Sequence, residues 1–196
     1  RGSLAVVGRA DVSVVWFKRD LRVADLRPVM AAVRQGGAVL PLYVVEPSVM
    51  AGDDFHPAHY AFVRDCLVEL RDDLAALGAP LVVRVGEVVE VLDALRAEFG
   101  IARVVAHEET GNAITYARDR AVLAWARERG VAFGEAPTNA VVRRLGDRDR
   151  WTAVRTERMR APIEEPPERL APVDGIAPGP LPPLAALGLS LGARTL

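Results

Sequence analysis

The chain has 196 residues, a length that defaults to one core, and 51% hydrophobic with 26% charged residues is an ordinary globular composition. Its 25 basic and 26 acidic residues give a formal net charge of -1, which excludes a general attraction to DNA or to an anionic membrane. The single cysteine, Cys66, excludes an intrachain disulfide and fits a reducing, cytoplasmic setting. No apolar run approaches the roughly 20 residues that span a bilayer, and no signal-type apolar core precedes Arg9 and Asp11.

Taken in order, the first 135 residues alternate between apolar runs and amphipathic stretches. Val12 to Phe17 reads as a strand buried on both faces. A charged turn, Lys18 to Arg22, leads to a helix from about Asp25 to Gln35, stopped by Gly36-Gly37. Ala38 to Val45 is the second strand, in which Pro41 lacks a ladder donor and predicts a late start or one unpaired position. Pro57 opens a long helix whose apolar stripe runs Phe62, Val63, Cys66, Leu67, Leu70, Leu74, Leu77. Leu81 to Val85 is a third strand, and Val88, Val91, Leu92, Leu95 and Phe99 stripe a third helix. Arg103 to Ala106 is a fourth strand, Asn112 to Arg129 a fourth helix closed by Gly130, and Val131 to Phe133 a fifth strand.

This alternation predicts an α/β fold: a Rossmann-like three-layer sandwich on a five-stranded parallel sheet. Ligands of such sheets bind beyond the carboxyl ends of the strands. That rim carries Lys18 to Arg22, Glu46 to Ser48, Gly86-Glu87 and His107 to Asn112. After Ala161 the periodicity vanishes, and eight of the fourteen prolines fall between Pro162 and Pro183. The leucines of this tail, Leu170 to Leu191, predict that it lies against something. The expected division is an N-terminal extension (1–11), an α/β domain (12–160) and a proline-rich linker (161–196).

Neither a dinucleotide glycine fingerprint nor a P-loop follows the first strand, which disfavours ordinary nucleotide oxidoreductases and NTPases. The Lys18–Arg22 cluster reads either as a ligand-binding turn or as an Asp20–arginine network. His56 and His59 have ligand spacing without a third partner, so no metal site is assigned. His107-Glu108-Glu109 is a ligand loop or a solvated one. Seven arginines between 143 and 160 face three acids there, and pairing or docking explains them better than phosphate binding. Trp16, Trp125 and Trp151 read as packing residues. No nucleophile–base pair assembles, so no catalytic residue is assigned.

Several segments, in one order, resemble the photolyase/cryptochrome family. They are Val14 to Arg22, Leu40 to Pro47, Phe62 to Leu67 leading into Leu81 to Gly86, and His107 to Asn112 with Arg118-Asp119. Asn139 to Leu145, Arg148-Asp149, Trp151 and Arg158-Met159 are similar to a bacterial subgroup. The resemblance implies an antenna role: a second chromophore (deazaflavin, lumazine, FMN or folate) held in the α/β domain. The matching positions are Lys18, Arg19, Asp20, Val45, Glu46, Glu108 and Glu109. Folate is disfavoured, because the Asn-Glu pair that holds it in some members is replaced by Ile114-Thr115. FAD, the electron-transfer tryptophans and the DNA-lesion pocket would belong to a following helical domain, the expected partner. The parent then resembles a deoxyribodipyrimidine photo-lyase or a cryptochrome that meets DNA only at full length. Two alternatives stand beside this: a stand-alone nucleotide-binding α/β module, and a scaffold that binds no chromophore.

Overall fold

A computed structural model describes residues 11–138, 140–143 and 145–191. The expected N-terminal extension lies almost wholly outside the described residues, as do Asn139 and Arg144 of the subgroup motif. Among the described residues five strands and six α-helices follow one another: β1 Val12–Phe17, α1 Arg27–Gln35, β2 Val39–Val45, α2 Pro47–Met50, α3 Pro57–Ala76, β3 Val82–Val85, α4 Val88–Phe99, β4 Ile101–His107, α5 Ala113–Arg129, β5 Ala132–Ala136 and α6 Trp151–Arg160. Every strand pairing is parallel, in the order β3-β2-β1-β4-β5. The α/β reading of the alternation is therefore shown.

The sheet has a core on each face, and β1 divides its side chains between them by strict alternation. Val12, Val14 and Trp16 join Leu92 and Leu95 of α4 and Val122 and Trp125 of α5 on one side. Val15 and Phe17 join Val29 of α1 and Leu67, Leu70 and Leu74 of α3 on the other. The order of strands reverses between β1 and β4, so the loops leaving them diverge and open a crevice at their carboxyl ends.

Pro41 does not delay β2, which begins at Val39 and runs through it opposite Val15. Val39, two residues earlier and pointing the same way, sends its N–H to the Ala171 carbonyl, and β3 pairs only from Leu42 onward. No ladder bond is lost at Pro41, because on that side there is no strand yet to receive one.

Other expectations shift. The first helix starts at Arg27 rather than Asp25, with Pro28 in its first turn and Asp25 held at a φ of 49°. β4 begins two residues early, and β5 runs to Ala136 although Gly134 and Glu135 are poor strand formers, because it pairs with β4 along its length. The short α2 and the ten-residue α6 are additional elements with no buried residue in either, so hydrophobic periodicity had nothing to report. Phe62 is 70% exposed and outside the stripe, which runs through Tyr60, Val63, Leu67, Leu70 and Leu74 instead. Trp151 is 41% exposed, held by its indole N–H to the Ala140 carbonyl; it is not a core residue, unlike Trp16 and Trp125.

The tail lies on the α/β unit. Leu170 is fully buried, and Leu181, Leu184, Leu187 and Leu189 pack on the α3 face. Its backbone is bonded as well: Leu170 N–H to Leu77 O, Val83 N–H to Pro178 O, and the Tyr60 hydroxyl to Pro182 O. It covers the outer edge of β3, which would otherwise present unpaired strand groups. Gly179 is required there, since at φ +77° its backbone lies so close to Val83 O that a Cβ would sit 2.4 Å away. No helix among the described residues is long and apolar enough to cross a membrane.

Candidate functional site

The carboxyl ends of β1 and β2 end in unlike residues. β1 runs out of buried apolar positions at Phe17 and delivers Lys18 and Arg19; β2 delivers Tyr43, Val45 and then Glu46. The loop after β4 brings Glu109, and the inner face of α5 brings Thr115 and Arg118. Together with Tyr60 and Val63 of α3, and with Met50 and Phe55 on the connection before it, they enclose a cavity of about 390 Å³.

Arg118 organises the polar wall. Its guanidinium donates to Glu46 Oε1 at 2.9 Å, Glu109 Oε2 at 2.8 Å and Asp119 Oδ1 at 3.1 Å. Lys18 Nζ donates to the other oxygen of Asp119 at 2.5 Å. Both cations lie over the ring of Trp16, at 4.7 and 4.8 Å from its centroid. Burial by itself would lower the Arg118 pKa, but its three carboxylate partners, Glu46 foremost, outweigh that and raise it. Burial pushes Glu46 up against the pull of Arg118, and pulls Lys18 down despite Asp119. Burial also raises Tyr43 and Tyr60, so both remain neutral phenols.

Arg19 stands apart from this set: it is 65% exposed and 3.9 Å from Glu109. Gly111 makes room for it, since a Cβ there would lie 2.4 Å from an Arg19 nitrogen and 2.7 Å from Glu109 Oε1. The Gly111 N–H also donates to that oxygen at 2.7 Å, so the turn after β4 fixes Glu109 from its own backbone.

Of the sequence-derived residues, Lys18, Arg19, Val45, Glu46 and Glu109 meet around the cavity. Asp20 turns away to His107 Nδ1 at 2.6 Å, with the Thr138 hydroxyl and Arg22 on its other oxygen. Glu108 turns to Arg143 and Arg158 instead, so pairing with acids accounts for two of the arginines in the 143–160 run. His56 and His59 cap α3: His56 Nδ1 accepts from Ala58 N–H, and His59 Nδ1 accepts from His56 N–H. Tyr43, Phe55, Tyr60, Thr115 and Arg118 line the cavity without having been singled out as site residues. Arg118 is the costliest omission. Its signal was the adjacent Arg118-Asp119 pair on a helix that otherwise reads as amphipathic.

The sequence profile of the family described as DNA photolyase matches residues 13–149. The chain belongs to the photolyase/cryptochrome family. Among curated relatives it is 30% identical to cryptochrome DASH of Gloeobacter violaceus, over 90% of this chain and 38% of that protein. It is 31% identical to cryptochrome DASH of Natronomonas pharaonis, over 92% and 41%. The chain thus spans well under half the length of the family members it matches. By structure it resembles a bacterial class III photolyase of Agrobacterium tumefaciens, with a TM-score of 0.73, 24% identity and coverage of 88% of this chain and 37% of that one. It also resembles an archaeal photolyase of Sulfolobus tokodaii described with two FAD molecules, with a TM-score of 0.66, 18% identity and coverage of 82% and 38%. At those identities the structures show the shared fold alone.

Proposed function

We propose that this photolyase-family chain is the antenna-chromophore domain of a flavin-dependent, light-driven DNA-repair lyase or cryptochrome. The observation that carries the reading is the cavity at the carboxyl ends of β1 and β2. Its volume of about 390 Å³ lies within the roughly 300–1,000 Å³ usual for small-molecule sites. Tyr43, Phe55 and Tyr60 supply flat apolar surface for a ring system, while Lys18, Arg118, Glu46 and Glu109 supply both donors and acceptors. These residues fit a deazaflavin, a lumazine or a flavin. A folate bound through an Asn-Glu pair fits less well, because Ile114 and Thr115 offer no carboxylate.

In this reading FAD, the lesion pocket and the contacts to DNA belong to a helical portion outside these 196 residues. The 38–41% of each cryptochrome DASH relative that the chain covers supports that division. The Sulfolobus relative, described with two FAD molecules and a novel light-harvesting cofactor, supports a second chromophore as a family possibility. The single half-buried thiol of Cys66 agrees with a reducing, cytoplasmic compartment. A second reading, a scaffold that binds no chromophore, draws on one feature: Arg118, Lys18 and their carboxylates already satisfy one another.

Fluorescence titration of the chain with a deazaflavin, a lumazine, FMN and folate distinguishes the two. The antenna reading expects saturable quenching of at least one of the first three, weakened about tenfold or more by Glu109→Gln. Absence of saturable quenching by all four, in protein with native circular dichroism, favours the empty scaffold.

A further inference from the structure

The cavity and the tail meet at one residue. Tyr60, in the first turn of α3, lines the cavity and is 4% exposed. Its hydroxyl donates to the Pro182 carbonyl of the tail at 2.8 Å, in a buried bond between residues 122 apart in sequence. Met50, Phe55 and Val63 of the same cavity wall pack into the core on the α3 face, and so do Leu181, Leu184, Leu187 and Leu189 of the tail. Among the described residues lining the cavity, none comes from the tail itself. The tail therefore reaches the cavity through α3, and its one polar link to the cavity wall is the Tyr60 hydroxyl.

A phenol has one proton to donate, and the tail takes it, so Tyr60 offers the cavity its ring. Were the tail to lift, the hydroxyl would be left buried without an acceptor. That state is costly, and the side chain relieves it by turning to water, which takes its ring off the cavity wall. The tail is built so that it can lift. At β3 it is held by single bonds, such as Val83 N–H to Pro178 O at 2.7 Å, rather than by a strand ladder. Arg71 of α3 donates to Gly179 O at 2.9 Å, but its buried Nε has no partner, a cost that opening returns to water.

We infer that Tyr60 is a positioning residue that couples the cavity to the tail. A ligand packed on its ring favours the docked tail, and the docked tail favours the ligand, by the same factor. The inference rests on the antenna reading, which supplies the ligand. It goes beyond that reading by making occupancy of the cavity felt in the segment that follows the α/β unit.

Amide hydrogen exchange with and without FMN tests this, with a deazaflavin or a lumazine in its place if FMN does not bind. The Val83 N–H reports docking of the tail, because Pro178 must lift before it exchanges. The Val104 N–H, in the central strand β4, reports the unit as a whole. Tyr60→Phe keeps the ring and removes only the hydroxyl, and each protein receives ligand at about one hundred times its own dissociation constant. In the wild type the ligand is expected to slow Val83 about fivefold or more; in Tyr60→Phe that slowing falls below about twofold, while Val104 is slowed in both. Slowing confined to Val104 in the wild type, or equal slowing of Val83 in the two proteins, overturns the inference and leaves the antenna reading standing. A folded Tyr60→Phe chain that no longer binds overturns it too, because the hydroxyl then serves the ligand rather than the tail. Failure of all three compounds to slow either amide of the wild type overturns the antenna reading together with the inference.

Discussion

Among single residues, Arg118 bears most of the site. It bridges three carboxylates contributed by the end of β2, the loop after β4 and its own helix, so its loss would leave Glu46 buried without a countercharge and Glu109 with the more distant Arg19 alone. Arg118→Met is expected to cost about 3–5 kcal/mol in urea unfolding near neutral pH. The pH dependence follows from Glu46. Burial raises its folded pKa above the ordinary 4.5, so its contribution to stability is present below that value and fades as pH rises through the folded value. Without Arg118 the folded value rises further, and the deficit should shrink as the medium is made acid. A deficit independent of pH would mean that the cost is packing rather than charge. Of this cluster, sequence reasoning reached Lys18, Glu46 and Glu109, because they sit where strands end. It reached Arg118 only as a motif residue, since nothing local in a helix says which of its several arginines turns inward.

At the level of elements, the carboxyl ends of the strands are tied by a second polar contact, away from the cavity. Asp20 in the turn after β1 meets His107 at the end of β4 and Thr138 just past β5. Desolvation by itself would raise the Asp20 pKa, but the His107 contact, the Thr138 hydroxyl and Arg22 together hold it below the ordinary 3.8. A lowered carboxyl pKa gives stability that is present above the unfolded value and lost as pH falls through the folded one. Asp20→Asn is therefore expected to cost about 1.5–3 kcal/mol at neutral pH, the range for a hydrogen bond to a charged group. Denaturation curves of variant and wild type should converge in acid. If the gap stays constant to low pH, the Asp20 charge contributes nothing. The sequence allowed two roles for the Lys18–Arg22 cluster, a ligand turn or an Asp20 network; Asp20 forms such a network with Arg22, His107 and Thr138, and a ligand role for Lys18 and Arg19 belongs to the proposed antenna reading. Lys18 and Arg19 line the cavity while Asp20, one residue on, faces His107.

For the whole molecule, the tail decides where the folded unit ends. Leu170 is as buried as any residue of the central strands, and four further leucines of the tail pack on the α3 face. Leu170→Ala is expected to cost about 2–5 kcal/mol, the range for a buried leucine. Removing everything after Ala161 should cost more and lower the denaturant slope, since less surface would be buried on folding. Equal stability of the shortened and complete chains would make the tail a passenger on a core ending at residue 161.

What the sequence by itself determined was the α/β alternation and the family. Both follow from local pattern: two-sided apolar runs, amphipathic stripes, glycine stops and ordered motifs at strand ends. Tertiary structure alone decided the order β3-β2-β1-β4-β5, the gathering of Arg118, Tyr43 and Tyr60 around one cavity, and the separation of Asp20 and Glu108 from it. It also decided that Pro41 costs nothing and that the surface the tail packs on, as its leucines predict it must on some surface, is the α3 face. The physical reason is the same in each case. These outcomes depend on which groups distant stretches of chain bring opposite one another, and no periodicity within a segment encodes its partner.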